Sequence, residues 1–76
     1  MEVEAVKQQI LAGIPDAQVS VEGEDCSFTV TVVSEQFKGK LPVARQKSVL
    51  GIFKQQLASG ELHALSVRAL TPDERT

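Results

Sequence analysis

The amino-acid sequence predicts an α+β protein, a two-layer sandwich in the order αββαβ that closes on a short helical turn. Three observations carry the prediction. Apolar residues recur at helical spacing in two stretches: Val3, Val6, Ile10, Leu11 and Ile14, then Val49, Leu50, Ile52, Phe53 and Leu57. Three other stretches alternate apolar and polar residues with a period of two, the mark of half-buried strands. No repeat, low-complexity segment or internal linker interrupts the 76 residues, which read as one domain over 1–76.

The first helix is expected from about Glu2 to Ala12. Gly13 suits its C-terminal cap, and Pro15-Asp16 prevents continuation. Gln18 to Glu22 alternates as a short strand with Val19 and Val21 on one face. Gly23-Glu24-Asp25-Cys26 follows as a turn. Ser27 to Val33 is the second strand, with Phe28, Val30 and Val32 on one face and Thr29, Thr31 and Val33 on the other. Its β-branched residues fit a pleated surface, and the short link predicts an antiparallel hairpin.

A polar turn, Ser34-Glu35-Gln36, leads to a compact basic loop, Phe37-Lys38-Gly39-Lys40. Pro42 belongs in the first turn of a helix that runs to Leu57, its wet side marked by Arg45, Lys47 and Lys54. Ser59-Gly60 ends it. The third strand begins near Glu61 and places His63, Leu65, Val67 and Ala69 opposite Leu62, Ala64, Ser66 and Arg68. Thr71-Pro72-Asp73-Glu74 then reads as a helix start, with a capping threonine, a proline at the first helical position and acidic first-turn residues. Both long helices are expected on one face of the three-stranded sheet.

Composition narrows the function. A hydrophobic content of 42% with only three aromatics, all Phe, sustains a small aliphatic core. Such a domain has no room for a deep pocket lined by several shells of side chains, which weighs against an enzyme. One cysteine excludes an internal disulfide. No apolar run approaches the roughly 20 residues of a membrane span, and no apolar segment of a signal peptide follows Met1, so the expected setting is cytoplasmic. Charge is segregated. Residues 1–37 carry seven carboxylates and one lysine, a net −6, whereas 38–54 carry five basic residues and no acidic one, a net +5. A dipolar chain of this kind steers partners of either sign, or its charges simply solvate a helix face.

The run Ser34 to Lys40, the helix from Leu41 to Leu50, then Leu62-His63-Ala64-Leu65-Ser66-Val67 and Leu70-Thr71-Pro72-Asp73-Glu74, resemble the BolA-like family. That family's pattern has a valine-rich strand, S-x-x-F-x-G-K, an R-x-x-x-V helix, I-H-A-L-S and T-P-x-E-W. The similarity covers nearly the whole chain, and Arg45-Gln46-Lys47-Ser48-Val49-Leu50-Gly51 is most similar to the IbaG-like (YrbA-like) branch. The resemblance implies a fold related to class II KH domains, with a three-stranded mixed sheet covered by helices on one face. It also implies a role beside monothiol glutaredoxins in iron–sulfur cluster delivery or in iron and stress sensing. Some members are described as DNA-binding regulators. Three positions depart from the pattern. Arg75 replaces the final Trp, Arg45-Gln46-Lys47 replaces an R-H-R triplet, and Ser27 stands where many members have a His before the strand Phe.

His63 and Cys26 are the sole His and the sole Cys, and imidazole and thiolate are both good iron ligands. A [2Fe–2S] cluster takes four ligands across its two irons, and two residues cannot supply them. The resemblance therefore implies a shared cluster, completed by a glutaredoxin cysteine and glutathione. The plainer alternatives are a strand-end histidine bonded to backbone and a loop thiol without a role. The basic group Phe37, Lys38, Gly39, Lys40, Arg45 and Lys47 is the candidate partner- or nucleic-acid-binding surface. KH domains use G-x-x-G in this loop, which the chain lacks, and the net charge is negative. An acidic glutaredoxin surface or a glutathione carboxylate is the preferred occupant, and nucleic acid the alternative. Phe37 reads better as a core plug than as a base-stacking platform.

Overall fold

The computed structural model describes residues 2–24 and 27–75. Its elements are α1 (Val3–Gly13), β1 (Gln18–Glu24), β2 (Ser27–Val33), α2 (Pro42–Ile52), α3 (Lys54–Ser59), β3 (Ala64–Leu70) and α4 (Pro72–Arg75), with a 3₁₀ turn over Glu35–Phe37. The strands form one mixed sheet in the order β1-β2-β3. β1 and β2 are antiparallel, with Gln18 opposite Val33 and Glu24 opposite Ser27. β2 and β3 are parallel, with Ser27 opposite Ala64 and Val33 opposite Leu70. This is the α+β sandwich expected, closed by a single helical turn. Among the described residues no helix is long and apolar enough to cross a membrane.

One cluster makes the core. Val6 and Ile10 from α1, Phe28, Val30 and Val32 from β2, and Val49 from α2 meet Phe37, Phe53 and Leu62 from the connections. Half-buried Val19, Val21, Leu65, Val67 and Ala69 pack against them. Alternation puts all these strand residues on one sheet face, which the long helices α1 and α2 cover, while α4 lies by the end of the other face near buried Val33. The other face exposes Ser20, Thr29, Ser66 and Arg68.

Four local expectations are corrected. Gly13 is the last residue of α1 and not its cap, which is Ile14. A Cβ on Gly13 would stand 3.0 Å from Ile52 Cδ1, so the missing side chain lets α1 approach α2. The helical run after Pro42 breaks at Phe53, whose N–H donates to Leu50 O at 3.0 Å, and resumes as α3. The break turns the Phe53 ring wholly into the core. Leu62 is fully buried in the core that Leu65 and Val67 pack against, although alternation put it on the face opposite to theirs, because β3 starts only at Ala64 and a strand period does not govern the residues before it. Arg45 is 8% exposed and lies off the wet side of its helix.

The hairpin has its own requirement. Gly23 has φ 131°, and a Cβ there would meet Ser27 O at 2.2 Å and Phe28 Cα at 2.9 Å. Only glycine lets β1 continue beside β2 to Glu24, two residues further than alternation alone suggested.

Candidate functional site

Parallel pairing starts β2 and β3 at the same end of the sheet. His63 is exposed there, immediately before Ala64, the first residue of β3. The segment leading to it is anchored on its buried side, because Leu62 is in the core and its N–H donates to Gln56 O at 3.1 Å. The imidazole is thus held on a fixed backbone and open to solvent, which suits a ligand offered to another molecule. Cys26, the other sequence-predicted ligand, lies outside the described residues. Its chain neighbour Ser27 pairs with Ala64, the chain neighbour of His63. Among the described residues no three His, Cys, Asp or Glu side chains converge to hold a metal ion.

The basic loop is at the opposite end. β2 runs into Ser34, whose hydroxyl accepts from Gln36 N at 3.0 Å and starts the 3₁₀ turn. That hydroxyl in turn donates to Asp16, 2.8 Å from Oδ1, and the same carboxylate accepts from Glu35 N at 3.1 Å and Gln36 Nε2 at 3.0 Å. These bonds, the Ser34 hydroxyl first, hold the Asp16 carboxyl below its usual range. Phe37 closes the turn and is 1% exposed, which makes it the plug foreseen and removes it from any contact surface.

Arg45 secures the rest of the loop. Its Nε donates to Lys40 O at 2.9 Å, and its Nη1 to Ala69 O at 3.2 Å. Its fork pairs with Glu74, at 2.5 Å from Nη1 to Oε1 and 3.1 Å from Nη2 to Oε2. Thr71 and Glu74 form a reciprocal capping box, the Thr71 N–H donating to Glu74 Oε1 and the Glu74 N–H to Thr71 Oγ1. The Arg45 bond, followed by the Thr71 N–H, lowers the Glu74 carboxyl, and Glu74 raises Arg45. One guanidinium therefore ties α2, the basic loop, the end of β3 and α4 together.

The expected basic surface shrinks accordingly. Arg45 serves the fold. Lys38 is raised by its bond to Glu35, 3.0 Å away, and by Asp73 at 3.8 Å, so two carboxylates answer its charge. Lys40, Lys47 and Gly39 remain exposed, beside Leu41 and Val43, which are 76% and 63% exposed and which alternation did not single out. Seven strand residues at about 3.3 Å each put this loop about 20 Å from His63. An extended tripeptide reaches only about 10 Å. The sequence-predicted residues are therefore two groups at opposite ends of the sheet. A tripeptide-sized molecule therefore cannot touch His63 and Lys38 or Lys40 at once.

Asp16 and Glu74 organise the site without having been foreseen. Asp16 carries only a turn signal in sequence, and its partners lie 18 to 20 residues away. Glu74 had a readable signal, since Thr71-Pro72-Asp73-Glu74 fits the capping box, but not its bond to Arg45 across 29 residues.

A family profile described as BolA-like protein matches residues 5–74. The chain belongs to the BolA-like family. This BolA-like chain is 31% identical over 74 residues to the acid stress protein IbaG of Escherichia coli strain K12, covering 97% of this chain and 88% of that protein. It is 42% identical over 52 residues to the DNA-binding transcriptional regulator BolA of Vibrio cholerae, over 68% of this chain and 48% of that one. Among solved structures, a BolA homologue from Coxiella burnetii superposes with a TM-score of 0.87 at 30% identity, covering 99% of this chain and 96% of the other. The αββαβ sandwich with its mixed sheet is thus the fold of BolA-like proteins.

Proposed function

We propose that this BolA-like protein is a non-enzymatic adaptor that binds a monothiol glutaredoxin and shares a [2Fe–2S] cluster with it, in cluster trafficking or in iron and stress sensing. The observation that carries the reading is the exposed His63, fixed at the head of β3 by a buried Leu62. Such a histidine presents one nitrogen donor outward, and the donor set of the chain is too small to enclose a cluster. One or two ligands come from this chain, His63 alone or with Cys26, and a glutaredoxin cysteine with glutathione completes the four. When bound, the cluster supplies iron and inorganic sulfide for transfer. The chain contributes a ligand and a docking surface around the start of β2 and β3. The basic loop, about 20 Å away, is left for the partner's flank or for another molecule.

The test is reconstitution of the cluster on a monothiol glutaredoxin with glutathione, followed by visible circular dichroism. Adding this protein changes the spectrum, and His63→Ala abolishes the change while the far-ultraviolet spectrum stays native. A spectrum that ignores the wild-type protein sinks the adaptor reading.

A second reading, a nucleic-acid-binding regulator, is favoured by the name of the Vibrio cholerae relative and by exposed Lys40 and Lys47. Burial of Arg45 and the ion pairs of Lys38 leave it less charge than the sequence offered. Under this reading, duplex DNA binding falls steeply with salt and with Lys38→Glu plus Lys40→Glu. Indifference to both removes it.

A further inference from the structure

Among the described residues the outer edge of β3 has no strand beside it, since β3 stands last in the sheet. Which of its backbone groups are open follows from the pairing. Leu70 O accepts from Ser34 N at 3.0 Å, so Leu70 points its peptide groups toward β2. In a parallel pair every second residue does the same, which turns Leu65, Val67 and Ala69 to the outside. The Arg45 guanidinium confirms the parity by donating to Ala69 O from that side. The N–H and C=O of Leu65 and Val67, and the N–H of Ala69, therefore face out along the edge. A groove of about 400 Å³ flanks the second half of this edge, lined by Pro42 and Gln46 of α2, by Val67 to Leu70 of β3, and by the Arg45–Glu74 pair.

We propose that this edge is a docking site for an extended acidic peptide segment of a partner protein, added as a fourth strand beside β3. Main-chain bonds to Leu65 and Val67 supply the register, and about six residues match the length of β3. Alternation assigns the side chains. Guest residues facing the helices lie over Val67 and Pro42 and are apolar, and those facing the open side of the sheet lie beside Arg68. The charge at the groove selects the acidic character. Its one lining carboxylate, Glu74, is already paired with Arg45 at 2.5 Å, whereas Arg68 is exposed and has no ion-pair partner among the described residues. The proposal does not depend on the cluster, because the groove is flanked by the far end of the sheet.

The probe is a fluorescein-labelled, end-blocked hexapeptide of alternating glutamate and valine, read by anisotropy and by amide hydrogen exchange of the full chain. Saturable binding is expected, with slowed exchange at Leu65, Val67 and Ala69. Methylating alternate backbone nitrogens of the peptide removes its donors and weakens binding at least about 10-fold, as does replacing its glutamates by lysine. Arg68→Glu, at an exposed position that leaves the fold intact, does the same. The proposal falls if no saturation occurs by about 1 mM, the weak end of specific recognition. It falls equally if the methylated peptide binds as well as the parent. Protection of these amides by a single-stranded oligonucleotide but not by the peptide, or by raising the protein concentration alone, assigns the edge to nucleic acid or to a second copy and overturns it.

Discussion

Removing the Phe37 ring separates a structural role in the basic loop from a binding role, because the two readings predict opposite outcomes. Phe37 is 1% exposed and sits in the same cluster as Phe28, Val30, Val49 and Phe53. Phe→Ala in such a site costs about 3–5 kcal/mol, the lost transfer of the ring plus the void left behind. A chain of this length has about 4–11 kcal/mol of stability in total, at roughly 0.05–0.15 kcal/mol per residue. Phe37→Ala therefore removes a large share of the fold and lowers the melting temperature by more than about 12 °C, at 4–8 °C per kcal/mol for domains of this size. Urea titration followed at 222 nm gives the free energy directly, with Phe37→Leu as a milder companion that keeps most of the volume. A loss below about 1 kcal/mol for Phe37→Ala, typical of a surface change, would refute the packing argument and return the ring to the contact surface.

Three further outcomes follow from the geometry. Gly23→Ala forces a Cβ against Ser27 O, which only a backbone shift can relieve, so the hairpin should lose protection from hydrogen exchange and the melting temperature should fall well beyond the cost of an ordinary surface alanine. Acid should destabilise the protein late. Asp16 and Glu74 have folded pKa values below their ordinary ones, so their contribution is whole above the ordinary carboxylate range and is lost as pH falls through the folded values. Urea midpoints should stay flat from neutrality to about pH 5 and drop below it, with Glu74→Gln and Asp16→Asn flattening the drop, whereas a decline already complete at about pH 6 would contradict this origin. Finally, Arg45→Met should speed amide exchange at Thr71 and Glu74 and loosen the loop around Lys40, and unchanged exchange at all three would deny the guanidinium its tying role.

The elements were legible because each is written locally. Helical spacing in Val6 and Ile10, alternation in Phe28, Val30 and Val32, and the Thr71-Pro72 start all describe neighbours within a few residues. The site was legible only in part. His63 stood out as the sole histidine, and its exposure at the head of β3 keeps it available to a partner. Arg45 misled, since a charged residue on a helix next to Gln46 and Lys47 reads as solvated until Glu74 and Ala69 are seen beside it. Leu62 misled for the opposite reason: alternation was extended three residues before the true start of the strand at Ala64. The separation of His63 from the basic loop needed the parallel register, which no short window contains.

That register also governs when the molecule can form. Ser27 and Ala64 meet only after the intervening helices have been made, because α2 and α3 separate β2 from β3 along the chain. Until then the β1–β2 ribbon shows Phe28, Val30 and Val32 with the β2 edge bare as well as that of β1, and two strands alone are marginal in water. Nascent or prematurely ended chains lacking β3 are thus sticky intermediates that chaperones and proteases would meet first, and abundance in a cell becomes a question of how quickly β3 arrives.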